Sequence, residues 1–256
     1  MNYFKKITSL KNKLVFVIGG TGLIGKETIK SLIDCNSKVI NLDIKKLNKN
    51  KFNEFFDCTD EKNIKKNYLN IVKKYGVPDI LINCSYPKTS EWKNNNFEKI
   101  DIKDFNLNTK NHLNSYVILS ILTANLMKKK RKKGSIILLG SIYGVVGQDT
   151  QIYINTGMSE NIAYSVIKGG ITSFTKQMAS YYGKFNIRIN CICPGGVQDK
   201  INTKNKNFIK NYRKRVPLKR LAKSDEIANV ILFFSSDASS YVTGNIMMVD
   251  GGWTSI

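Results

Sequence analysis

The sequence is short of acidic residues. Its 256 residues include 19 Asp and Glu against 41 Lys and Arg, which gives a formal net charge of +22 at pH 7. A positive field of this size is compatible with binding to nucleic acid, to an anionic membrane surface or to small phosphorylated or acidic molecules. The alternative is a lysine-rich composition spread over a solvated surface. Net charge does not decide between these interpretations, so the choice depends on finding a site.

The sequence also lacks long apolar runs and paired cysteines. No run reaches the ~18 apolar residues of a membrane span, so we expect no membrane partner, and residues 1–19 lack the apolar stretch of a secretory signal. The five cysteines are odd in number, and Cys191 and Cys193 do not have the spacing of a Cys-x-x-Cys redox or zinc pair. We therefore expect free, mostly buried thiols, no metal site and a cytoplasmic protein.

Short runs rich in Val, Ile and Leu alternate with longer amphipathic segments along the chain. This alternation is typical of βαβ units and a parallel sheet. No linker or internal repeat interrupts it, so we predict a single α/β domain over residues 1–256. The predicted strands are Leu14–Ile18, Lys38–Leu42, Phe55–Asp57, Ile80–Asn83, Ser135–Leu139, Arg188–Ile192 and Ile246–Val249. The predicted helices are Gly25–Asp34, Glu61–Tyr75, Lys103–Met127, Ala163–Tyr182 and Ser224–Ser235, with Ser224 as an N-cap, and the predicted irregular stretches are Pro87–Lys99, Val145–Asn161 and Gln198–Arg215.

A glycine cluster follows the first predicted strand directly. Gly19, Gly22 and Gly25 are three residues apart and lead into the first predicted helix. Glycines at such a turn permit a close backbone approach to a pyrophosphate, which then lies on the free amide groups of the helix N-terminus. The cluster therefore predicts a dinucleotide site.

Two aspartates end the next two predicted strands. A carboxylate at the position of Asp43 accepts hydrogen bonds from an adenosine ribose and repels the 2′-phosphate of NADP. We therefore predict NAD, with NADP as the alternative because Lys45 and Lys46 follow, and with a surface turn as the alternative role of Asp43. Asp57 is the matching candidate for the adenine edge.

Three polar residues are candidates for chemistry. Tyr164 and Lys168 are four residues apart in a helical pattern, so their side chains lie on one helix face. A free phenol has a pKa of about 10, and a nearby ammonium lowers it by favouring the phenolate, which makes Tyr164 a candidate general acid and base. Ser141 follows a buried strand at the edge where open α/β sheets bind ligands, and its hydroxyl can stabilise charge on a substrate oxygen. Taken alone, a Tyr-x-x-x-Lys spacing is common on protein surfaces.

With these motifs in view, the chain resembles the short-chain dehydrogenase/reductase family over nearly its whole length. Further matches are Gly140-Ser141-Ile142-Tyr143-Gly144, Arg188-Ile189-Asn190-x-x-x-Pro194-Gly195 and the tail Val249-Asp250-Gly251-Gly252. The resemblance implies a Rossmann-type, doubly wound NAD(P) oxidoreductase that acts on a small molecule. Tyr164 would be the acid and base, Lys168 would lower its pKa and hold the nicotinamide ribose, and Ser141 would polarise the reacting group. The implied cofactor-binding residues are Gly19, Thr21, Gly22, Leu23, Ile24, Gly25, Asp43, Asp57, Cys58, Asn83, Tyr164, Lys168, Pro194, Gly195 and Val197.

The chain departs from the family pattern in three places. After the fourth strand, Asn83 is followed by Cys84-Ser85-Tyr86-Pro87 in place of Asn-Ala-Gly. The separation of 23 residues between Ser141 and Tyr164 is longer than is usual. The best register places His112, the single histidine, on the helical asparagine of the family's catalytic tetrad. His112 is therefore either a proton-relay group or a structural histidine, with Asn111 or Asn114 then taking the role.

The loops suggest a substrate class. The long insert, Tyr86-Pro87 and the turn around Val197 resemble the subset of the family that occurs with flagellin-glycosylation and nonulosonic-acid (legionaminic-type) sugar genes. The substrate would be a sugar, a sugar phosphate or a nucleotide sugar. Cations within Gln198–Arg215 would then bind phosphate, or else form a solvated flap.

Two other functional interpretations stay open. The first is a reductase of 3-oxoacyl groups on acyl-carrier protein, as in the fatty-acid branch of the family. The second is a protein that binds nucleic acid or anionic lipid through the basic run Lys128–Lys133, which we disfavour because no aromatic residues interrupt the run. The tail Val249–Trp253 resembles a subunit-contact segment, which implies a homodimer or homotetramer.

Overall fold

Seven parallel strands form one sheet in the order β3-β2-β1-β4-β5-β6-β7. The computed structural model describes residues 7–47, 52–92, 95–199 and 204–256. The strands are β1 (Leu14–Ile18), β2 (Lys38–Asp43), β3 (Asn53–Phe55), β4 (Ile80–Asn83), β5 (Gly134–Leu139), β6 (Ile187–Pro194) and β7 (Ile246–Val249). The helices are α1 (Leu23–Asp34), α2 (Ile64–Tyr75), α3 (Ile102–Lys129), α4 (Ile162–Tyr182), α5 (Lys206–Arg215) and α6 (Ser224–Ser235).

The sheet is covered on both faces, which explains why its central strands are continuously apolar. Ile29 and Leu32 of α1 and Ile227 and Ile231 of α6 belong to the apolar cluster on one face. On the other face, α2, α3 and α4 contribute a second cluster that includes Tyr68, Tyr116, Leu119 and Ile167. This confirms the predicted α/β fold, a doubly wound parallel sheet flanked by helices.

The strand order reverses beside β1, and this reversal positions the site. Strand β2 pairs with one edge of β1 and β4 with the other, and Ile18 lies in register with both Leu42 and Asn83. The connections after β1 and β4 leave the sheet toward opposite faces, which opens a crevice at the carboxyl ends of the strands.

The third strand is one correction to the sequence prediction. It covers Asn53–Phe55 and not Phe55–Asp57, because its pairing with β2 ends at Phe55 opposite Asp43. Asp57 lies beyond the strand, where its Oδ1 accepts hydrogen bonds from the amide and hydroxyl of Thr59 at 2.8 and 2.7 Å.

Helix α5 also differs from the sequence prediction, because it lies in a stretch that was predicted to be irregular. Asn205 caps its start by accepting a hydrogen bond from the amide of Phe208 at 3.1 Å. Only Phe208 and Tyr212, four residues apart, are buried in it, and the many lysines and asparagines around them weaken the apolar periodicity. Helix α6 begins as predicted, but Lys223 is the N-cap residue, and its amide donates to the Glu226 carboxylate at 2.8 Å.

In the described part of the chain, no helix combines the length and apolar character needed to cross a bilayer. The five cysteines are free, and only Cys191 and Cys193 are fully buried.

Candidate active site

A single cleft of about 1700 Å³ runs along the carboxyl edge of the sheet. One end is lined by the glycine turn, Asp43 and Asp57, and the other by Ser141, Tyr164 and Lys168. Its walls come from the loops that follow β1, β2, β4, β5 and β6, which is where an open α/β sheet binds ligands.

The glycine turn is shaped for a close approach of an anion to backbone. Gly19 has a φ of +76°, and a Cβ there would lie 2.6 Å from the Cα of Ser85. A Cβ on Gly25 would lie 2.4 Å from the carbonyl oxygen of Gly19, so this glycine allows α1 to pack against the turn. Within the described residues, no side chain caps the start of α1 at Gly22. The uncapped amides of Leu23 and Ile24 thus fit the pyrophosphate of a dinucleotide.

Asp43 is held by the same turn. Its Oδ2 accepts hydrogen bonds from the amide and hydroxyl of Thr21 at 2.9 and 2.8 Å, and its Oδ1 accepts from the amide of Lys45 at 3.1 Å. The carboxylate is therefore fixed at the end of β2, where it faces the cleft. The cleft continues past it along four lysines, which are Lys26, Lys30, Lys45 and Lys46.

The next pair of predicted residues lies beside this end. Asp57 and Cys58 both line the cleft, and burial raises the pKa of the Cys58 thiol. Asn83 is fully buried, and its Oδ1 accepts from the amide and hydroxyl of Ser85 at 3.0 and 2.7 Å. Its Nδ2 has no hydrogen-bond partner among the described residues, and Asn83 lies behind the cleft and does not line it.

Ser141 and Tyr164 meet at the other end of the cleft. Asn161 fixes the start of α4, because its side chain accepts a hydrogen bond from the amide of Tyr164 at 2.8 Å. Burial raises the pKa of the Tyr164 phenol, and a hydrogen bond from the Ser141 side chain opposes this rise. The phenol is consequently protonated at neutral pH.

Lys168 lies one turn further along α4 and is buried. Its Nζ donates to the carbonyl oxygen of Leu139 at 2.8 Å and lies 5.7 Å from the Tyr164 ring centroid. Burial lowers the pKa of Lys168 to about 8. This differs from the expectation that Lys168 lowers the pKa of Tyr164 to near neutrality: the chain by itself gives a raised value, because desolvation of the phenol dominates.

His112 is buried between the rings of Tyr86 and Tyr116, each with its centroid 5.3 Å away. Neither ring nitrogen has a hydrogen-bond partner among the described residues. Burial and the charge of Lys168 hold the pKa of His112 well below its usual value, so the imidazole is neutral. Of the alternatives, Asn111 lines the cleft, whereas the Asn114 side chain is directed to Glu61 at the surface.

The turn after β6 forms a further wall of the cleft. Pro194 ends the strand, the amide of Gly195 donates to Val249 at 3.0 Å, and Val197 forms a β-bridge with Ala222. The amide of Gly196 also donates to the hydroxyl of Tyr212 on α5. All three predicted residues of this turn line the cleft.

The packing of aromatic rings around Tyr164 was not predicted from the sequence. Tyr86, Trp92 and Tyr143 each contact the Tyr164 ring edge-on, at centroid distances of 5.9, 6.2 and 6.5 Å. Further out, Tyr153 stacks on Phe208 at 6.3 Å. These rings come from four separate segments, and only Tyr86 and Tyr143, in the loops after β4 and β5, have positions that indicated a site from the sequence.

The insert between Ser141 and Tyr164 lies against α5. Asn205, Asn207 and Asn211 of the α5 region donate side-chain hydrogen bonds to backbone carbonyls of the insert. The accepting residues are Thr156 at 2.8 Å, Asn155 at 2.7 Å and Ile154 at 2.9 Å. Insert and helix therefore form one wall of the cleft.

The cations of the predicted phosphate-binding loop do not line the cleft. From α5 only Phe208 and Tyr212 do so, whereas its lysines and arginines lie on other faces of the helix. Lys200, which belongs to the same predicted cluster, lies outside the described residues. In the tail, Trp253 is buried within its own chain against Tyr143 and Tyr212.

No group of three or more His, Cys, Asp or Glu side chains in the described ranges is arranged to hold a metal ion.

Comparisons with known proteins agree with this geometry. A family model described as Enoyl-(Acyl carrier protein) reductase matches residues 32–254. The post-translational flagellin modification protein A of Campylobacter coli is 31% identical over 257 residues, which cover 95% of this chain and 99% of that protein. The 3-oxoacyl-(acyl-carrier-protein) reductase of Buchnera aphidicola subsp. Schizaphis graminum is 29% identical over 264 residues, which cover 95% and 98%.

A solved structure of similar shape carries a bound ligand. The short-chain dehydrogenase from Leptospira borgpetersenii serovar Hardjo-bovis, solved with NAD+, is 34% identical with a TM-score of 0.87, and the match covers 99% of this chain and 96% of that one.

Proposed function

Because the chain belongs to the short-chain dehydrogenase/reductase family and is an NAD(P)-dependent oxidoreductase, we propose that it transfers hydride between NAD and a carbonyl or secondary alcohol of a sugar derivative. The substrate is a sugar, a sugar phosphate or a nucleotide sugar of bacterial surface-glycan (nonulosonic acid) biosynthesis. One observation carries the proposal: a single cleft joins the glycine turn and Asp43 to Ser141, Tyr164 and Lys168.

The reaction needs a proton at the substrate oxygen, and Tyr164 supplies it. The nicotinamide cofactor, when bound, gives or takes the hydride. In reduction, the Tyr164 phenol donates its proton to the carbonyl oxygen, while the Ser141 hydroxyl donates a hydrogen bond to the same oxygen. The raised pKa of Tyr164 keeps the phenol protonated at neutral pH and suits this donor role. In oxidation, the phenolate accepts the alcohol proton.

Lys168 stabilises the phenolate that each turnover creates. With a pKa of about 8, its side chain is mostly an ammonium at pH 7. Three tyrosine rings lie within 6 Å of its Nζ, at 5.9 Å (Tyr86), 5.5 Å (Tyr116) and 5.7 Å (Tyr164). A positive charge this close favours the deprotonated phenol, and it also suits a hydrogen bond to the ribose of the cofactor.

His112 is the proposed relay group, and it is buried behind Tyr86 and Tyr116, which line the cleft. A neutral imidazole accepts a proton on one nitrogen and donates from the other, and both nitrogens of His112 are free of partners among the described residues. We expect His112→Ala to lower kcat far more than Asn111→Ala, measured as NADH oxidation with a saturating carbonyl substrate. Equal, mild losses would reject the relay.

The lining of the substrate end supports a ring-shaped substrate. Tyr86, Tyr143, Tyr153, Phe208 and Tyr212 all line the cleft. Tyrosine combines a flat apolar face with a polar tip, which matches a sugar ring that carries C–H groups on one face and hydroxyls at its edge. The similarity to a flagellin modification protein points to the same class of substrate.

A panel of candidate substrates tests the proposal. NADH oxidation is followed with keto-sugars, their phosphates and nucleotide-linked forms, and with a 3-oxoacyl thioester. We expect kcat/KM for at least one sugar to exceed that for the thioester by about tenfold, which corresponds to ~1.4 kcal/mol of transition-state stabilisation. The reverse ranking would favour the second candidate, a 3-oxoacyl-(acyl-carrier-protein) reductase, for which the Buchnera relative argues.

The quaternary state and compartment complete the proposal. We place the enzyme in the cytoplasm as a homodimer or homotetramer. Sedimentation at micromolar concentration is expected to give a species of two or four chains, and a species at the chain mass of 29.0 kDa would contradict this.

A further inference from the structure

Helix α5 and the turn that follows it carry an unusually high density of positive charge. Between Lys204 and Lys223, nine of twenty residues are Lys or Arg and none is Asp or Glu. Ion pairs within the described residues involve two of the nine, Arg215 with Asp149 at 3.5 Å and Arg220 with Glu226 at 2.6 Å.

Five of these cations line one groove that is separate from the active-site cleft. The groove has a volume of about 560 Å³, within the range of small-molecule sites. Its lining consists of Ile209 and five cationic residues, namely Lys206, Lys210, Arg213, Lys214 and Lys219. The opposite face of the same helix carries Phe208 and Tyr212, which line the cleft.

Helix stability does not explain this arrangement. Cations near the C-terminus of α5 are favoured by the helix dipole, but the same dipole disfavours Lys206 at its first position. Lys206, Lys210 and Lys214 are spaced four apart, so three like charges lie along one face and oppose helix formation. A bound anion would remove this repulsion.

The turn after α5 orients the guanidinium of the groove. Lys219 has a φ of +54°, a left-handed conformation that lysine rarely adopts. In this conformation its carbonyl oxygen accepts a hydrogen bond from the Nε of Arg213 at 2.7 Å, and its own Nζ donates to the carbonyl of Lys214 at 3.1 Å. Arg213 is thereby held through Nε, which leaves its two terminal nitrogens for a ligand.

We propose that this groove is a second anion site, which binds a small molecule carrying two linked phosphates. A planar guanidinium binds phosphate oxygens in pairs, and the four ammonium groups supply the remaining charge. The site is distinct from the glycine turn, and it does not depend on the identity of the substrate in the cleft.

Inorganic pyrophosphate is the probe for the test. Calorimetric titration is made into the full chain saturated with NAD+, so that the glycine turn is filled, at about 0.15 M salt to screen diffuse attraction. We expect one saturable site per chain. The double substitution Lys206→Glu with Lys210→Glu is expected to weaken binding by about tenfold or more. Its control is Lys129→Glu with Lys130→Glu, which removes the same charge from an exposed basic run and should change binding by less than about twofold.

A variant that conserves charge distinguishes specific binding by the Arg213 guanidinium from non-specific attraction of anions by the net positive charge. Arg213→Lys keeps the net charge but loses the fork and its bond to Lys219, so we expect pyrophosphate to bind several-fold more weakly while the melting temperature stays near that of the parent. The proposal fails if the holoenzyme shows no saturable binding. It also fails if the two double variants weaken binding equally, or if Arg213→Lys binds like the parent.

Discussion

The two ends of the cleft are built in different ways. At the cofactor end, Gly19–Gly25, Asp43 and Asn83 follow the ends of three adjacent strands, and hydrogen bonds such as those from Thr21 to Asp43 fix them locally. At the substrate end, the lining rings come from the loops after β4 and β5, the insert and α5, and asparagine amides connect α5 to the insert. The first end is set by the sheet, whereas the second is set by contacts between loops. This arrangement allows one fold to keep its cofactor while its substrate changes.

The junction of the two ends should be the most sensitive position. Tyr164→Phe keeps the ring contacts but removes the proton donor, so we expect kcat to fall by about a thousandfold. The dissociation constant of NADH, measured by calorimetry, should change far less than kcat because the glycine turn, Asp43 and Lys168 are intact. A variant that retains more than about a tenth of the activity would remove Tyr164 from the chemistry.

At the cofactor end, Asp43→Asn tests whether the charge of Asp43 sets the preference for NADH over NADPH. The amide still offers an oxygen to Thr21 but no longer repels a 2′-phosphate, and four lysines line the same cleft. We expect the ratio of kcat/KM for NADPH to that for NADH to rise by about tenfold or more, from steady-state kinetics with both cofactors.

The matched control for this prediction is Thr21→Val, which removes the hydroxyl contact and leaves the charge of Asp43. It should weaken both cofactors alike. An unchanged ratio in Asp43→Asn would show that the lysines, and not Asp43, set the preference.

At the substrate end, Tyr153→Ala tests the loop-built wall. It removes the ring that stacks on Phe208, so we expect KM for a ring-shaped substrate to rise about tenfold while the NADH dissociation constant is unchanged. Tyr153→Phe keeps the ring and loses only the hydrogen bond to Gln148, and should stay within about threefold. Comparable KM increases for a small acyclic ketone would mean that the wall acts on folding and not on recognition.

The smallest effect is expected from pH. Lys168 has a pKa of about 8 because burial disfavours its charge, so the ammonium is present below that pH and is lost as the pH rises through it. Reduction should therefore decline above pH 8, with the Tyr164 phenol still protonated because its own pKa is raised. In Lys168→Arg the guanidinium stays charged, so the decline near pH 8 should disappear from the kcat/KM profile even if activity is lower. A parent profile that is flat to pH 9.5 would contradict the assignment.

The same contrast explains what the sequence could predict. The cofactor end was predictable because short local patterns, an apolar strand followed by Gly19 or Asp43, place each residue at one edge of a parallel sheet. The placement of Tyr164 and Lys168 on one helix face was predictable from their spacing, whereas their pairing with Ser141 came from the family resemblance.

The substrate end was not predictable, because contacts such as Tyr153 on Phe208 join segments 55 residues apart in sequence. Helix α5 escaped prediction for a related reason. Its buried residues, Phe208 and Tyr212, occupy only two positions on one helix face, which is too few to give a clear amphipathic pattern among the cations. The contact of Tyr212 with Trp253, which helps to bury this face, joins distant parts of the sequence. The raised pKa of Tyr164 likewise depends on its burial among rings that the sequence does not place.

The positions of the tryptophans determine what the intrinsic fluorescence of the protein reports. The chain contains two, and both lie beside tyrosines of the cleft: the ring centroids of Trp92 and Tyr164 are 6.2 Å apart, and those of Trp253 and Tyr143 are 6.3 Å apart. Nearly all of the intrinsic indole fluorescence therefore originates at the substrate end of the cleft. Binding of a ligand beside these rings, and energy transfer to a reduced nicotinamide, can therefore be measured in the unlabelled protein.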